Sequence, residues 1–216
     1  MTGSGKTYLS RFLTRSLSRL VVIDTKGTLK DWNTEDWNLT TRSKLRNNEP
    51  VRIRIVPPWE VKNVGEFLDD IILKCYQSQN VTVYIDEIYG VVPERQEASP
   101  LLKSLYTRGR ELGIGVYTAS QRPSWLPLVA ITESEHFFSF YLQLLEDRKR
   151  MAAFMGEEVL TIAPDQYGFY YHRTGTRFTN YFSRLETIGG DIQLKHVEIK
   201  PEQSRHGLLN LKWRTK

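Results

Sequence analysis

The chain opens on Met1-Thr2-Gly3-Ser4-Gly5-Lys6-Thr7, and no other stretch restricts its fold so severely. These residues reproduce the second half of the phosphate-binding loop G-x-x-x-x-G-K-[ST]. In that loop backbone N–H groups cradle phosphates, the Lys reaches the β/γ oxygens and the hydroxyl residue holds Mg²⁺. Such a loop joins a strand to a helix, so a chain that carries it is committed to an α/β fold. Here the cradle is Thr2, Gly3, Ser4 and Gly5, with Lys6 as the cation, Thr7 as the Mg²⁺ hydroxyl and Tyr8 beside the nucleotide. The helix that starts there adds its N-terminal dipole to the same anion site. A dinucleotide loop G-x-G-x-x-G does not fit, because Tyr8 stands where the third Gly belongs.

The motif's first Gly falls one position before Met1, and so does the strand that should lead into the loop. The working protein is therefore expected to begin upstream, with an apolar strand ending in Gly. Composition adds outer limits. With 216 residues, 40% hydrophobic and 25% charged, the chain can bury a full core and lacks the signature of disorder. Its apolar runs are too short to cross a bilayer as a helix. One cysteine, Cys75, excludes an internal disulfide and fits a reducing cytoplasm. The four scattered histidines make no Cys/His metal cage. A net charge of +5 suits a polyanionic partner without requiring one.

Along the chain, residues 7–19 have helical apolar spacing, with Arg11, Arg15 and Arg19 four apart as one basic stripe. Leu20–Asp24 is a short β-branched run of the buried parallel kind. Thr25-Lys26-Gly27 turns at its carboxyl end, where open α/β sheets place ligands. Asp24 and Lys26 face either a nucleotide or polymer there, or make a turn without chemistry. Residues 30–50 look irregular. Val51–Ile55 alternates and predicts a strand with one covered and one wetter face. Val64–Tyr76 predicts a helix carrying Cys75 as a packed residue.

Val81-Thr82-Val83-Tyr84-Ile85-Asp86-Glu87 is a strand running into paired carboxylates, eighty residues after the G-K-T loop. This is the Walker B arrangement. Asp86 orients Mg²⁺ and Glu87 aligns the attacking water. A charged segment over 91–100 and a helix over Leu101–Leu112 follow, the latter bearing Arg108 and Arg110. Gly113–Ser120 is a third buried strand, ending in Gln121-Arg122-Pro123. In the sheet order 5-1-4-3-2 of this NTPase class it lies between the phosphate-loop strand and the Walker B strand. Gln121 then reaches the γ-phosphate or the lytic water, or else the tripeptide only ends a strand.

Gly109–Pro123 resembles the corresponding segment of the HerA/FtsK superfamily of DNA-pumping ATPases. Val22–Gly27 resembles that superfamily's second strand and turn, and the order of motifs agrees over roughly residues 1–180. The resemblance implies a RecA-like P-loop NTPase fold of the ASCE type, with a mostly parallel sheet flanked by helices. It also implies ATP and Mg²⁺ as cofactors, a homo-oligomeric ring (usually a hexamer) and ATP-driven movement of double-stranded DNA. A core this compact is most like the genome-packaging ATPases of viruses and mobile elements, which suggests capsid, portal or channel partners. The implied location is the host cytoplasm or the virion, without membrane insertion. In such rings an arginine finger completes a neighbour's site; Arg110 is the first choice, then Arg108, then Arg122.

His136–Leu142 predicts a strand and Glu146–Met155 a helix capped at Gly156. Tyr167–Tyr171 predicts a strand closing the sheet beside the missing first one. Residues 1–182 are thus expected to be the motor core and 183–216 a basic extension. Two other readings remain: a P-loop NTPase of phage assembly, such as the zonula-occludens-toxin-like proteins, and a non-catalytic nucleotide-binding subunit.

Overall fold

In a computed structural model the described residues are 5–61, 64–92, 97–161, 167–176, 180–188 and 191–197. Thr2, Gly3 and Ser4 of the phosphate loop, and the basic residues beyond 197, lie outside them. The chain divides into two compact units. One comprises Lys6–Ser134, the other Met1–Gly5 with Glu135–Lys216.

The first unit is built on β1 (Arg19–Asp24), β2 (Glu35–Asp36), β3 (Val51–Ile55), β4 (Thr82–Asp86) and β5 (Gly115–Thr118), in the order β2-β3-β1-β4-β5. Every pairing is parallel. β1, β4 and β5 stand in the order expected of the second, third and fourth strands of the class. Parallel sheets need both faces covered. On one face Val21, Ile23, Ile53, Val83 and Ile85 pack with buried side chains of α3 (Val64–Ser78) and α4 (Pro100–Arg108). On the other, Leu20, Val22 and Tyr84 pack with Leu29 and Trp32, the Trp32 and Tyr84 rings 4.7 Å apart between centroids. Burial at period two along β3 selects Val51, Ile53 and Ile55 for the core.

The wetter face of β3 is satisfied rather than solvated. Arg52 donates to the carbonyls of Thr14, Leu17, Trp32 and Asn33. One of those carbonyls, that of Thr14, closes α1 (Lys6–Thr14), and that of Leu17 lies in the connection to β1, so α1 stops at residue 14 rather than 19. Arg19 consequently opens β1 and donates to the carbonyls of Leu45, Glu49, Gln79 and Asn80. The expected Arg11/Arg15/Arg19 stripe does not form. Residues 30–50, expected to be irregular, contain β2 and α2 (Leu39–Arg46). That helix is fixed by a capping box in which Asn38 and Thr41 bond reciprocally, a pairing that substitutes Thr for the usual Glu or Gln.

Cys75 on α3 is fully buried, and burial pushes its thiol up to about 12. Thiolate is the reactive form, so Cys75 should resist a thiol reagent at pH 8 in the folded protein. It should react with one equivalent in denaturant. Full labelling without denaturant would place Cys75 outside the core.

The second unit holds β6 (His136–Ser139), β7 (Phe169–Arg173), β8 (Asn180–Ile188) and β9 (Asp191–Val197), consecutive neighbours in an antiparallel sheet, with α6 (Leu145–Met155) between β6 and β7. α5 (Leu128–Thr132) precedes it in the first unit. β7 therefore does not close the parallel sheet as expected. It pairs with β6 through Phe138–Tyr171 ring contact and an Arg173–Glu135 ion pair. Residues 183–197, expected to be an extension, supply most of the β8–β9 hairpin. Gly5 takes φ +96°, and a Cβ there would sit 3.1 Å from the Phe140 ring. Only glycine fits that turn without strain.

Candidate nucleotide site

The site forms at the carboxyl ends of β1, β4 and β5, where open parallel sheets collect ligands. Asp24 and Asp86 stand opposite one another in register there. α1 begins at Lys6, one residue after the left-handed Gly5, so Lys6 and Thr7 occupy its first turn. Lys6 Nζ lies 3.1 Å from Glu87 Oε1. From the β1 side Lys26 Nζ approaches the same oxygen at 3.5 Å. From the β5 side the Gln121 N–H donates to Glu87 Oε2 at 2.9 Å. One carboxylate thus gathers three elements of the motif set.

Glu87 is 3% exposed and has a left-handed backbone, φ 50° and ψ 66°. A non-glycine residue adopts that region at a cost of order 1–3 kcal/mol, and such residues gather at functional sites. The strain turns the chain sharply after β4, so that Glu87 faces Lys6 instead of continuing the strand. Burial alone would push the Glu87 carboxyl up. The Lys6 ammonium, the Gln121 amide and Lys26 outweigh it and hold the carboxyl below its ordinary value. Lys6 is lowered by burial, which Glu87 only partly offsets.

Asp86 sits differently. Its Oδ1 accepts from the buried Tyr84 hydroxyl at 3.0 Å, and its carbonyl accepts from Thr25 Oγ1 at 2.8 Å. Burial raises the Asp86 carboxyl despite that hydrogen bond, so a cation beside it would relieve an unfavourable charge. Asp86 and Thr7 offer oxygen donors, the type Mg²⁺ prefers, and Mg²⁺ keeps waters and phosphate oxygens in its shell. Among the described residues no group of three or more His, Cys, Asp or Glu could hold a metal. Two oxygen donors are a set of the kind Mg²⁺ takes when nucleotide phosphates and waters complete its shell.

Asp24 is bound into the turn after β1, and its charge adds to the rise of the Asp86 carboxyl. It is completely buried, accepts from the Thr28 and Leu29 N–H groups, and lies 3.6 Å from Arg54. Its carboxylate braces the turn that presents Lys26. Tyr84 was not singled out in the sequence, although strand alternation puts it on the same face as Asp86, two residues on. Its hydroxyl also bonds to Ser10 of α1, tying the loop helix to the Walker B strand. Thr7 is exposed and Tyr8 is 41% exposed.

Arg108 and Arg110 are not brought to the site. Both are exposed, next to a turn in which Asn80 N–H bonds to Leu112 O and Thr82 pairs with Gly115. That is the amino end of β4, roughly 16 Å from Glu87 at about 3.3 Å per residue. Gly113 there has φ +68°, and the Asn80 side chain fills the space a Cβ would need. Arg122, at the carboxyl end of β5, lies over the Trp125 ring at 4.2 Å.

No protein-family model matches the chain. It is 34% identical over 100 residues to the DNA packaging ATPase of Enterobacteria phage PRD1, a match covering 46% of this chain and 40% of that protein. The chain thus spans less than half the length of that curated relative. The fold matches the genome packaging NTPase of Sulfolobus turreted icosahedral virus 2 in complex with sulfate, with a TM-score of 0.66 and 17% identity over 83% of this chain and 91% of the other. It also matches the DNA-packaging ATPase of Sulfolobus turreted icosahedral virus, with a TM-score of 0.65 and 18% identity over the same shares. The virus 2 NTPase has further been solved with ATP-gammaS. The fold is a P-loop NTPase fold, as in those solved proteins, and the partial identity to a phage packaging ATPase agrees with the HerA/FtsK resemblance of the motifs.

Proposed function

We propose that this chain is the motor of a viral DNA-packaging machine, a Mg²⁺-dependent ATPase that moves double-stranded DNA. The observation that carries the reading is the convergence of Lys6, Lys26 and the Gln121 amide on Glu87. The start of α1 and the Lys6 ammonium receive the β- and γ-phosphates. Once a phosphate takes Lys6, Glu87 Oε1 loses its nearest cation and turns to the attacking water, while the Gln121 amide keeps Oε2 in place. Thr7 and Asp86 would hold Mg²⁺, which when bound would supply neutralisation of the phosphate charge. Tyr84 fixes the orientation of the Asp86 carboxylate.

The motor chemistry belongs to the Lys6–Ser134 unit, and the sheet of β6 to β9 is accessory to it. The protein works as a ring, usually a hexamer, docked on a capsid, portal or channel in the host cytoplasm or the virion. An ATPase assay with and without duplex DNA tests the reading. Turnover that needs Mg²⁺ and rises with DNA supports it, and absence of turnover under all conditions overturns it.

The distance of Arg108 and Arg110 from Glu87 within one chain favours a finger supplied by a neighbour. Mixing Arg110→Ala with Lys6→Ala subunits in equal amounts should then restore about a quarter of the wild-type rate, the chance that an intact Lys6 meets an intact Arg110 at a head-to-tail interface. No recovery at any ratio would count against a trans arginine at this position.

A further inference from the structure

Tyr84 is buried on β4, packed with Leu20, Val22 and Trp32. That packing asks only for an apolar ring, which a phenylalanine would supply, so the hydroxyl is the part left to explain. It is shared between Asp86 Oδ1, at 3.0 Å, and the side chain of Ser10 on α1. A phenol carries one proton, and an ionised carboxylate only accepts. Tyr84 therefore donates to Asp86 and accepts from Ser10, a directed chain running from α1 to the Walker B acid. Ser10 stands three residues after Thr7 on α1, and residues three apart are neighbours on one helix face. The two oxygen donors suited to a cation, Thr7 and Asp86, are thus joined through one phenol.

We propose that Tyr84 sets which divalent cation the nucleotide site accepts, by fixing Asp86 to meet the cation with one oxygen at a set distance from α1. The inference rests on the Mg²⁺-dependent ATPase reading above and names a positioning residue within it. Mg²⁺ demands near-octahedral ligands at about 2.0–2.1 Å and keeps several waters. Ca²⁺ takes more oxygens, at about 2.3–2.6 Å, and readily uses both oxygens of one carboxylate. With Oδ1 held by the phenol, Asp86 presents Oδ2, the single-oxygen mode that suits the smaller ion. The link to Ser10 holds α1, and Thr7 with it, against β4, so the gap between the two donors does not widen freely for the larger one. Without the hydroxyl the carboxylate can turn both oxygens outward, and the discrimination should fall.

The test is titration of a fluorescent ATP analogue in Mg²⁺ and in Ca²⁺, which reads binding without turnover. Wild type should bind more tightly in Mg²⁺, and equal affinity in the two cations would refute the proposal at once. Tyr84→Phe keeps the ring and should reduce the Mg²⁺/Ca²⁺ affinity ratio by about tenfold, the effect of one hydrogen bond to a charged group. Ser10→Ala leaves the Asp86 bond intact and should reduce the ratio by about threefold. Equal weakening in both cations would make the phenol a plain support of Asp86 and refute the selectivity, as would an unchanged ratio. If Tyr84→Phe does not fold, Ser10→Ala decides: a reduced ratio supports the link and an unchanged one overturns it. Nucleotide bound equally well with no divalent cation defeats the Mg²⁺-dependent reading itself, a separate failure visible in the wild type alone.

Discussion

Glu87→Gln should bind ATP and Mg²⁺ with near wild-type affinity and lose turnover by roughly 10²–10⁴-fold, the usual contribution of a positioned acid–base group. The amide keeps the volume and can still accept from the Gln121 N–H, so the turn after β4 should survive. It removes the negative charge that Lys6 and Lys26 share and that orients the water. Lys6→Ala should behave in the opposite sense. It removes a charged donor from the phosphates, so nucleotide binding itself should weaken by roughly ten- to a hundredfold. Titration with a fluorescent ATP analogue and single-turnover hydrolysis separate the two effects. Wild-type hydrolysis by Glu87→Gln would show that the water is aligned by another group, and the convergence on Glu87 would then be structural.

The parts of this molecule legible in the sequence were those whose signal is local. Val51–Ile55 alternates because one face of a strand is covered. Leu20–Ile23 is uniformly apolar because both faces of the strand are covered. The Walker B strand was legible because its apolar run stops at Asp86, with Glu87 directly after it. What could not be read depends on partners distant in the chain. α1 ends at Thr14 because Arg52, on another strand, takes the Thr14 carbonyl. α2 is polar, with only Thr41 and Leu45 buried, so no apolar stripe announces it, and its Asn/Thr capping box lies outside the usual pattern. β7 offers an apolar run that suits either sheet, and its pairing with β6 is decided by cross-strand contacts of Phe138 and Glu135. Lys26 stands at the expected strand end, but its ion pair with Glu87 could not be read locally, because it depends on the left-handed backbone at Glu87.

Asp24 marks the same boundary between chemistry and support, and its removal should be among the most damaging single changes to the fold. The sequence places it at a strand end beside the Walker acids, where a role toward nucleotide or polymer is natural. Its geometry argues otherwise: two backbone N–H groups and the Arg54 guanidinium converge on a carboxylate that no solvent reaches. Removing the carboxylate leaves the Thr28 and Leu29 N–H groups, part-buried and buried, without their acceptors, at a cost of about 1–3 kcal/mol each, while Arg54 keeps Asp36 at 3.9 Å. Together that is a large share of the roughly 5–15 kcal/mol that stabilises a typical domain. Asp24→Ala should therefore shift the urea midpoint strongly downward, and Asp24→Asn, which keeps one acceptor for the turn, should lose less. ATP affinity of the folded Asp24→Asn protein should stay within about twofold of wild type, because both Asp24 oxygens are taken up by the Thr28 and Leu29 N–H groups of the turn. A variant with unchanged urea stability and weakened ATP binding would reverse this assignment and return Asp24 to the nucleotide site.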